Sequence, residues 1–385
     1  MLRFLTAGES HGPALTAIIE GLPAGMPLDV AQVNGELARR QRGYGRGGRM
    51  QIERDQVEIL SGVRFGVTIG SPVTLVIRNR DWENWRQRMD PVAGSDTQPV
   101  TAARPGHADL PGTIKYARED IRDILERASA RETAARVAVG AVAKQLLRAV
   151  GITVISHVTN IGGIWAAADE IRTGDVAAWA SRLQSSALNC LDADAEERMK
   201  EAIERAGQEG DTLGGIFEII AFGVFPGLGS HVHWDRRLDA RLAGALMSIP
   251  AIKGVEVGAG FAYAALPGSQ AHDEIFYEAE RGYYRRSNNA GGMEGGISNG
   301  ENIIIRAVMK PIPTLMRPLA SVDIRTKQAA AAARERSDVC AVPAAAVVGE
   351  AVVAWVLAEA LLEKFGGDAW GDLQAAIDYY RRRIR

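Results

Sequence analysis

Arg39, Arg40, Arg42, Arg46 and Arg49 fall within eleven consecutive positions, with four glycines and Tyr44 threaded between them. Guanidinium groups match phosphates and carboxylates through paired donors, and glycine lets a loop fold tightly round a small dianion. Such a loop suits a phosphorylated, carboxylated metabolite. It also suits a single-stranded nucleic acid, which Gly-Arg segments with aromatics can bind, or a plain solvated basic loop. The whole-chain charge weighs against the nucleic acid: 45 Lys+Arg against 47 Asp+Glu give −2, so cationic character is confined to this segment.

Two histidines stand in polar loops. His11 follows Glu9 and Ser10, and His107 lies in a Pro-Gly turn ahead of Asp109. Imidazole titrates nearest neutrality, so a loop histidine among polar neighbours is placed for proton transfer; the alternative for each is a ring bonded to backbone. Arg127-Ala128-Ser129 precedes a capped helix start, where unpaired N–H groups attract negative charge or merely cap the helix. Lys310-Pro311-Ile312-Pro313-Thr314 joins a cation to two residues of fixed φ, a stiff ledge for a ligand or a rigid turn. Arg336 and Asp338 form either an active pair or a surface salt bridge. His157 sits in an apolar strand pattern, and His231-X-His233 has no evident third ligand, so no metal site is expected.

The elements that must carry these residues are legible from periodicity. Leu2 to Thr6, Ala14 to Glu20, Val57 to Val63 and Pro72 to Ile77 read as strands, and a helix runs from Asp29 to Arg40. The helical pattern from Asp120 to Val150 breaks at Ser129, with Glu132 three residues on completing a capping box. Ile152 to Ile161, Ile216 to Phe225 and Asn302 to Met309 read as further strands, Asp235 to Ile249 as an amphipathic helix, and Pro343 to Lys364 as a helix stopped by Gly366-Gly367. The apolar stretch from Ala341 to Leu362 carries Pro343, Glu350 and Glu359, so it reads as a buried helix and not a membrane span. Strands and helices intermix as α+β or α/β, without a repeat or low-complexity linker.

Glycine, at 42 of 385 residues, exceeds its usual share of about 7%. The glycine-rich loop from 286 to 300 lacks both the dinucleotide-binding Gly-X-Gly-X-X-Gly spacing and the Gly-Lys-Ser/Thr ending of a phosphate loop. Cys190 and Cys340 lie 150 positions apart, supporting neither a zinc site nor a disulfide framework. With no signal-peptide pattern at the N-terminus, a cytoplasmic location is expected.

Taken in order, Gly8-Glu-Ser-His-Gly12, Arg42-Gly-Tyr-Gly-Arg-Gly-Gly-Arg49, Arg104-Pro-Gly-His-Ala-Asp109, Glu126-Arg-Ala-Ser-Ala-Arg-Glu-Thr133, Gly210-Asp-Thr-Leu-Gly-Gly215, Asn289-Ala-Gly-Gly-Met-Glu-Gly-Gly296, Lys310-Pro-Ile-Pro-Thr314 and Arg336-Ser-Asp-Val-Cys-Ala-Val-Pro343 resemble the chorismate synthase family. The resemblance runs from residue 1 to about residue 367. It implies an α+β fold in one large domain, a β-α-β sandwich with helices packed between antiparallel-rich sheets. On this reading residues 1–367 are catalytic, with a peripheral insertion at about 165–209, and 368–385 form a tail.

The implied activity is the anti 1,4-elimination of phosphate from 5-enolpyruvylshikimate 3-phosphate to give chorismate, a redox-neutral step that needs reduced FMN. The resemblance makes His11 the acid that assists the departing phosphate, sets His107 beside the flavin and puts Asp338 near flavin N5. Arg40, Arg46, Arg49 and Arg131 would hold substrate phosphate and carboxylates, Arg40 and Arg46 being assigned alternatively to NADPH as the flavin's reductant. Flavin contacts would come from Arg127, Ala128, Ser129, Pro250, Ala251, Gly295, Lys310, Pro311, Ile312, Pro313, Thr314 and Arg336. The family commonly has a polar residue where this chain has Pro250, which leaves backbone alone for a contact there. A homotetramer acting on a small molecule, with neither nucleic acid nor membrane as partner, is the implied assembly.

Overall fold

Short segments rich in β-branched and leucine residues recur within the first eighty positions, and four of them pair into one antiparallel sheet. The structure is a computed structural model and describes residues 1–47, 53–92, 98–167, 176–334 and 338–384. Strands β1 (Arg3–Ala7) and β2 (Ala14–Glu20) form a hairpin, helix α1 (Val30–Gln41) follows, and β3 (Val57–Ser61) and β4 (Val73–Arg78) complete the order β1-β2-β4-β3. Register pairs Ala17 with Leu75 and Leu15 with Ile77. One face therefore buries Leu15, Ile19, Val73, Leu75 and Ile77, while Leu5 and Ile18 point outward.

Three short helices come next: α2 (Trp82–Met89), α3 (Asp109–Tyr116) and α4 (Arg122–Ala128). After them runs α5 (Thr133–Ala149). The second sheet takes β5 (Thr153–Ile161) and β6 (Ile164–Trp165), then, beyond α6 (Val176–Ser185) and α7 (Ala193–Gln208), β7 (Gly215–Phe222). Helix α8 (Leu238–Met247) leads to β8 (Ile252–Val257), and β9 (Ile303–Met309) completes this sheet in the order β8-β9-β7-β5-β6, every pair antiparallel. Helices α9 (Val342–Phe365) and α10 (Trp370–Arg383) close the chain.

Helix α5 rests on β1, β2 and β4, α9 rests on β5 and β7, and the two helices pack on each other, so helices fill the space between two sheets in an α+β sandwich. Their backbones meet at Gly140, where a Cβ would lie 2.3 Å from that of Ala351. Helix α9 is apolar on every side because every side is covered, and it is the only described helix long and apolar enough to cross a membrane. Its one interior charge is answered. Glu350 accepts hydrogen bonds from Arg39 (2.7 and 2.8 Å), Lys144 (2.5 Å) and both the backbone N–H and hydroxyl of Ser156. Burial raises the Glu350 carboxyl, but Arg39 and Lys144 outweigh it and hold it well below the usual range. Breaking such a buried pair costs about 3–5 kcal/mol.

Several boundaries differ from the sequence reading, for local reasons. The expected strand to Phe225 ends at Phe222 because Gly223 turns the chain at φ 73° against the Gly151 carbonyl. The expected helix from Asp235 starts at Leu238, after a 3-10 turn over Trp234–Arg236. At the break in the long helical pattern Ser129 Oγ accepts from Arg131 N (3.3 Å), opening a 3-10 turn over Ala130–Glu132; the Glu132 carboxylate turns to Arg136 instead of closing a capping box. Helix α7, within the 165–209 segment, buries Ala195, Met199 and Ile203 in the main core, and α10 adds Leu373 and Ile377 to it.

Candidate active site

The β1–β2 turn carries His11, and α4 fixes it. Ser10 N–H donates to the Glu126 carbonyl (3.0 Å), His11 N–H donates to Glu126 Oε2 (2.8 Å), and the ring Nδ1 lies 2.9 and 3.0 Å from the two carboxylate oxygens. Burial raises the Glu126 carboxyl, but the His11 hydrogen bonds and Arg122 bring it below the ordinary range. An ionised carboxylate only accepts, so Nδ1 donates to it. Ser129 Oγ donates to Ser10 Oγ (3.1 Å), and Arg127 reaches the Gly8 and Thr6 carbonyls (3.0 and 3.1 Å), seating residues 127–129 against the same turn.

Beside this turn two arginines lie inside the protein, each about 4% exposed. Arg40, at the end of α1, donates to Thr133 Oγ1 (2.9 Å) and the Ala130 carbonyl (2.8 Å). Arg131 donates to Asn79 Oδ1 (2.9 Å) and to both Asp55 oxygens (2.6 and 2.8 Å). Asn79 also donates to the Glu9 and Gly12 carbonyls, tying the arginines to the His11 turn. One terminal nitrogen on each, Arg40 Nη1 and Arg131 Nη2, is buried with no hydrogen-bond partner among the described residues. Burial, offset by Asp55 and reinforced by Arg131 and Arg46, lowers Arg40 to about 10. Each of the two terminal nitrogens faces a buried carboxylate beyond hydrogen-bond reach, Arg40 Nη1 at 3.6 Å from Asp55 Oδ2 and Arg131 Nη2 at 3.9 Å from Glu53 Oε2.

The second histidine belongs to a separate wall. Asp109, at the start of α3, accepts from Arg104 through backbone and guanidinium and lies 2.5 Å from His107 Nδ1. Burial raises Asp109, but His107 and Arg104 hold it well below the usual carboxylate range. Arg104 Nη1 also donates to Thr314 Oγ1 (3.1 Å), and Lys310 Nζ donates to the Gly106 carbonyl, so this turn sits on the 310–314 ledge. The ledge is pinned from below: Lys310 N–H donates to Ala251 O (3.0 Å) and Thr212 Oγ1 donates to Ile312 O (2.8 Å). Ala251 holds φ at 70°, the left-handed region that non-glycine residues rarely adopt. Asp338 accepts from Arg46 Nη1 (2.8 Å) and Gly47 N–H (2.6 Å), and Val339 N–H donates to Gly45 O (2.8 Å), joining the arginine loop to the chain before α9.

The family model for chorismate synthase matches residues 2–362. The chain belongs to the chorismate synthase family. It is 61% identical to the chorismate synthase of Desulforamulus reducens over 388 residues and 61% identical to that of Geobacter sulfurreducens over 394 residues, with full coverage of both chains in each case. A crystal structure of a chorismate synthase superposes with a TM-score of 0.80 at 46% identity, covering 100% of this chain and 98% of that one. Membership makes the protein a lyase of aromatic biosynthesis, in a family that implies a flavin requirement.

Of the residues that the chorismate synthase motifs single out, the structure joins His11, Arg127–Ser129, Arg40 and Arg131 in one network. It joins His107, Ala251, Lys310, Ile312 and Thr314 in another. Gly295 stands apart at the exposed tip of a hairpin, with nothing within 4 Å of where its Cβ would lie. Arg49 and Arg336 lie outside the described residues. The sequence reading missed Glu126, Arg122, Asn79, Asp55 and Trp85. Glu126 and Arg122 stand at i,i+4 spacing on α4 (2.8 Å apart), which was the one available hint. Of the other histidines, His157 lies buried 3.3 Å from Glu218, and His233 pairs with Asp235 in an exposed turn. A cavity of about 340 Å³ between β1, α5, α8 and α9 is lined by polar groups that already pair: Arg136 with Glu132 and Ser248, Arg241 with Glu359.

Proposed function

We propose that the protein eliminates phosphate from 5-enolpyruvylshikimate 3-phosphate to give chorismate in the presence of reduced FMN. The observation that carries this reading is the buried pair of Arg40 and Arg131, each with a terminal nitrogen that has no hydrogen-bond partner among the described residues, with Arg131 tied through Asn79 to the His11 turn. A substrate with one phosphate and two carboxylates needs fixed cations in a dry site, and these supply them without a metal. Among the other two readings of the arginine loop, a nucleic-acid patch and a solvated loop both need exposed guanidiniums. Arg39 and Arg40 instead turn inward, and Arg46 pairs with Asp338.

In the reaction the ring C–O bond to phosphate and a ring C–H bond in 1,4 relation both break. A second ring double bond forms, and a proton and phosphate leave with no net redox change. His11, its Nδ1 donating to Glu126, presents Nε2 to hand a proton to the departing phosphate. Arg40, Arg46, Arg49 and Arg131 hold the anionic groups and offset charge that grows on the leaving oxygen. Asp338, anchored by Arg46 and Gly47, would act near flavin N5, helping return the proton.

The ledge fits a flavin phosphate by its donor set. Lys310 is lowered by burial and then by the neighbouring charge of Lys253, a crowding of cations that an anion would relieve, and Thr314 and Arg104 add donors. We assign Lys310–Thr314, Pro250–Ala251, Gly295, Arg127–Ser129 and Arg336 to FMN, with His107, oriented by Asp109, beside it to protonate or stabilise its reduced anionic form. Bound there in reduced form, the flavin would supply the electron density that an unactivated C–H bond needs and no side chain offers. NADPH is our proposed reductant of the flavin, and a cytoplasmic homotetramer our proposed form.

The test is substrate affinity. Arg131→Met should weaken binding of 5-enolpyruvylshikimate 3-phosphate in calorimetry by about tenfold to a hundredfold, the worth of a charged hydrogen bond lost from a buried site. Unchanged affinity would remove the anion site and the reading built on it.

A further inference from the structure

We propose that Trp85 is a positioning residue for His11, and that α2 is the helix that brings it there. The imidazole and indole rings stack with centroids 3.8 Å apart at 25°. Two guanidiniums also lie near the indole, Arg122 of α4 with its Cζ 4.9 Å from the ring centroid and Arg88 of α2 at 5.6 Å. Indole Nε1 donates to Asp81 Oδ2 (3.0 Å) one turn earlier, which fixes the plane of the ring. Helix α2 buries no residue of its own, so core packing does not account for where it sits.

The inference rests on the reading of His11 as the proton donor. Glu126 holds the Nδ1 edge of His11 in the plane of the ring, and a contact along one edge restrains tilting of the ring less than a contact on its face. A second ring pressed against one face removes that freedom and excludes water from the face. Arg122 serves both restraints, since it pairs with Glu126 at 2.8 Å and stands over Trp85. The indole face is electron-rich and favours a cation beside it. It therefore complements the ring in its protonated form, while Glu126 complements the same charge from the edge. Trp85 sits far from the Arg40–Arg131 donors in role: it acts on the proton donor and not on the anion.

Two measurements on the full-length, FMN-loaded protein test this. Trp85→Ala should lower kcat about tenfold or more with KM changed less than about threefold, because small displacements of a reacting group cost rate out of proportion to binding, and Trp85→Phe should restore most of it. Without substrate, His11→Asn should change the tryptophan emission of the protein, and the same substitution should change it far less in a Trp85→Phe background, since the imidazole stacks on that indole. An equal change in both backgrounds would overturn the stack. Normal turnover in Trp85→Ala beside an impaired His11→Asn would overturn the positioning role alone. Normal turnover in His11→Asn would overturn the assignment of His11 as proton donor and our proposal with it, even with the change in emission intact.

Discussion

His11 and His107 are built alike, each ring tied through Nδ1 to a carboxylate that its surroundings keep ionised, Glu126 for the first and Asp109 for the second. The histidines were legible as polar residues in loops. Their partners were legible only in part, because Asp109 is two residues from His107 while Glu126 is 115 positions from His11 and Asp55 is 76 from Arg131. No local pattern predicts which distant carboxylate a fold will bring to a ring. The depressed carboxyls make a pH prediction with a definite sign. A carboxyl held below its unfolded value of about 3.9 stabilises the fold at all higher pH and loses that contribution as pH falls through its folded value. Asp109→Asn should therefore be less stable than wild type at pH 7 in urea unfolding, with the gap narrowing as pH drops below about 4. A gap that stays constant into acid would show that Asp109 is not held ionised by Arg104 and His107.

At the scale of elements, strands and helices followed from periodicity, and their ends were displaced where a glycine or a 3-10 turn intervened. What periodicity could not show was why glycines cluster where they do. Gly214 is one answer: a Cβ there would lie 2.4 Å from the Met309 carbonyl oxygen and 2.9 Å from backbone atoms of Lys310 and Pro311. The 210–215 loop can underlie the ledge only because position 214 has no side chain. Gly214→Ala should cost about 1–3 kcal/mol by overpacking, read as a lower Tm. It should also weaken FMN binding in fluorescence titration, since the displaced backbone is that of Lys310 and Pro311. Full FMN affinity in a destabilised variant would detach this loop from the cofactor ledge.

Across the whole molecule, the sandwich explains how a chain of near-zero net charge builds a cationic site. Two antiparallel sheets enclose α5 and α9, and α1 lies against both helices, so the arginines at its end are drawn inward. Arg39 goes to Glu350 in the helix layer and Arg40 to Thr133 and the Ala130 carbonyl beside the His11 turn, two consecutive side chains pointing to different partners. The sequence reading treated all five arginines as one cluster because spacing in a loop does not reveal burial. The central claim is that this arrangement eliminates phosphate without net redox change. With oxidised FMN and NADPH in place of pre-reduced flavin, the assay for it also decides whether the chain reduces its own cofactor. The most direct measurement is anaerobic turnover of 5-enolpyruvylshikimate 3-phosphate with photoreduced FMN, following phosphate, chorismate and flavin together. Phosphate and chorismate should appear in equal amounts with the reduced flavin undiminished at the end, whereas phosphate without chorismate, or equal rates with flavin left out, would contradict the account.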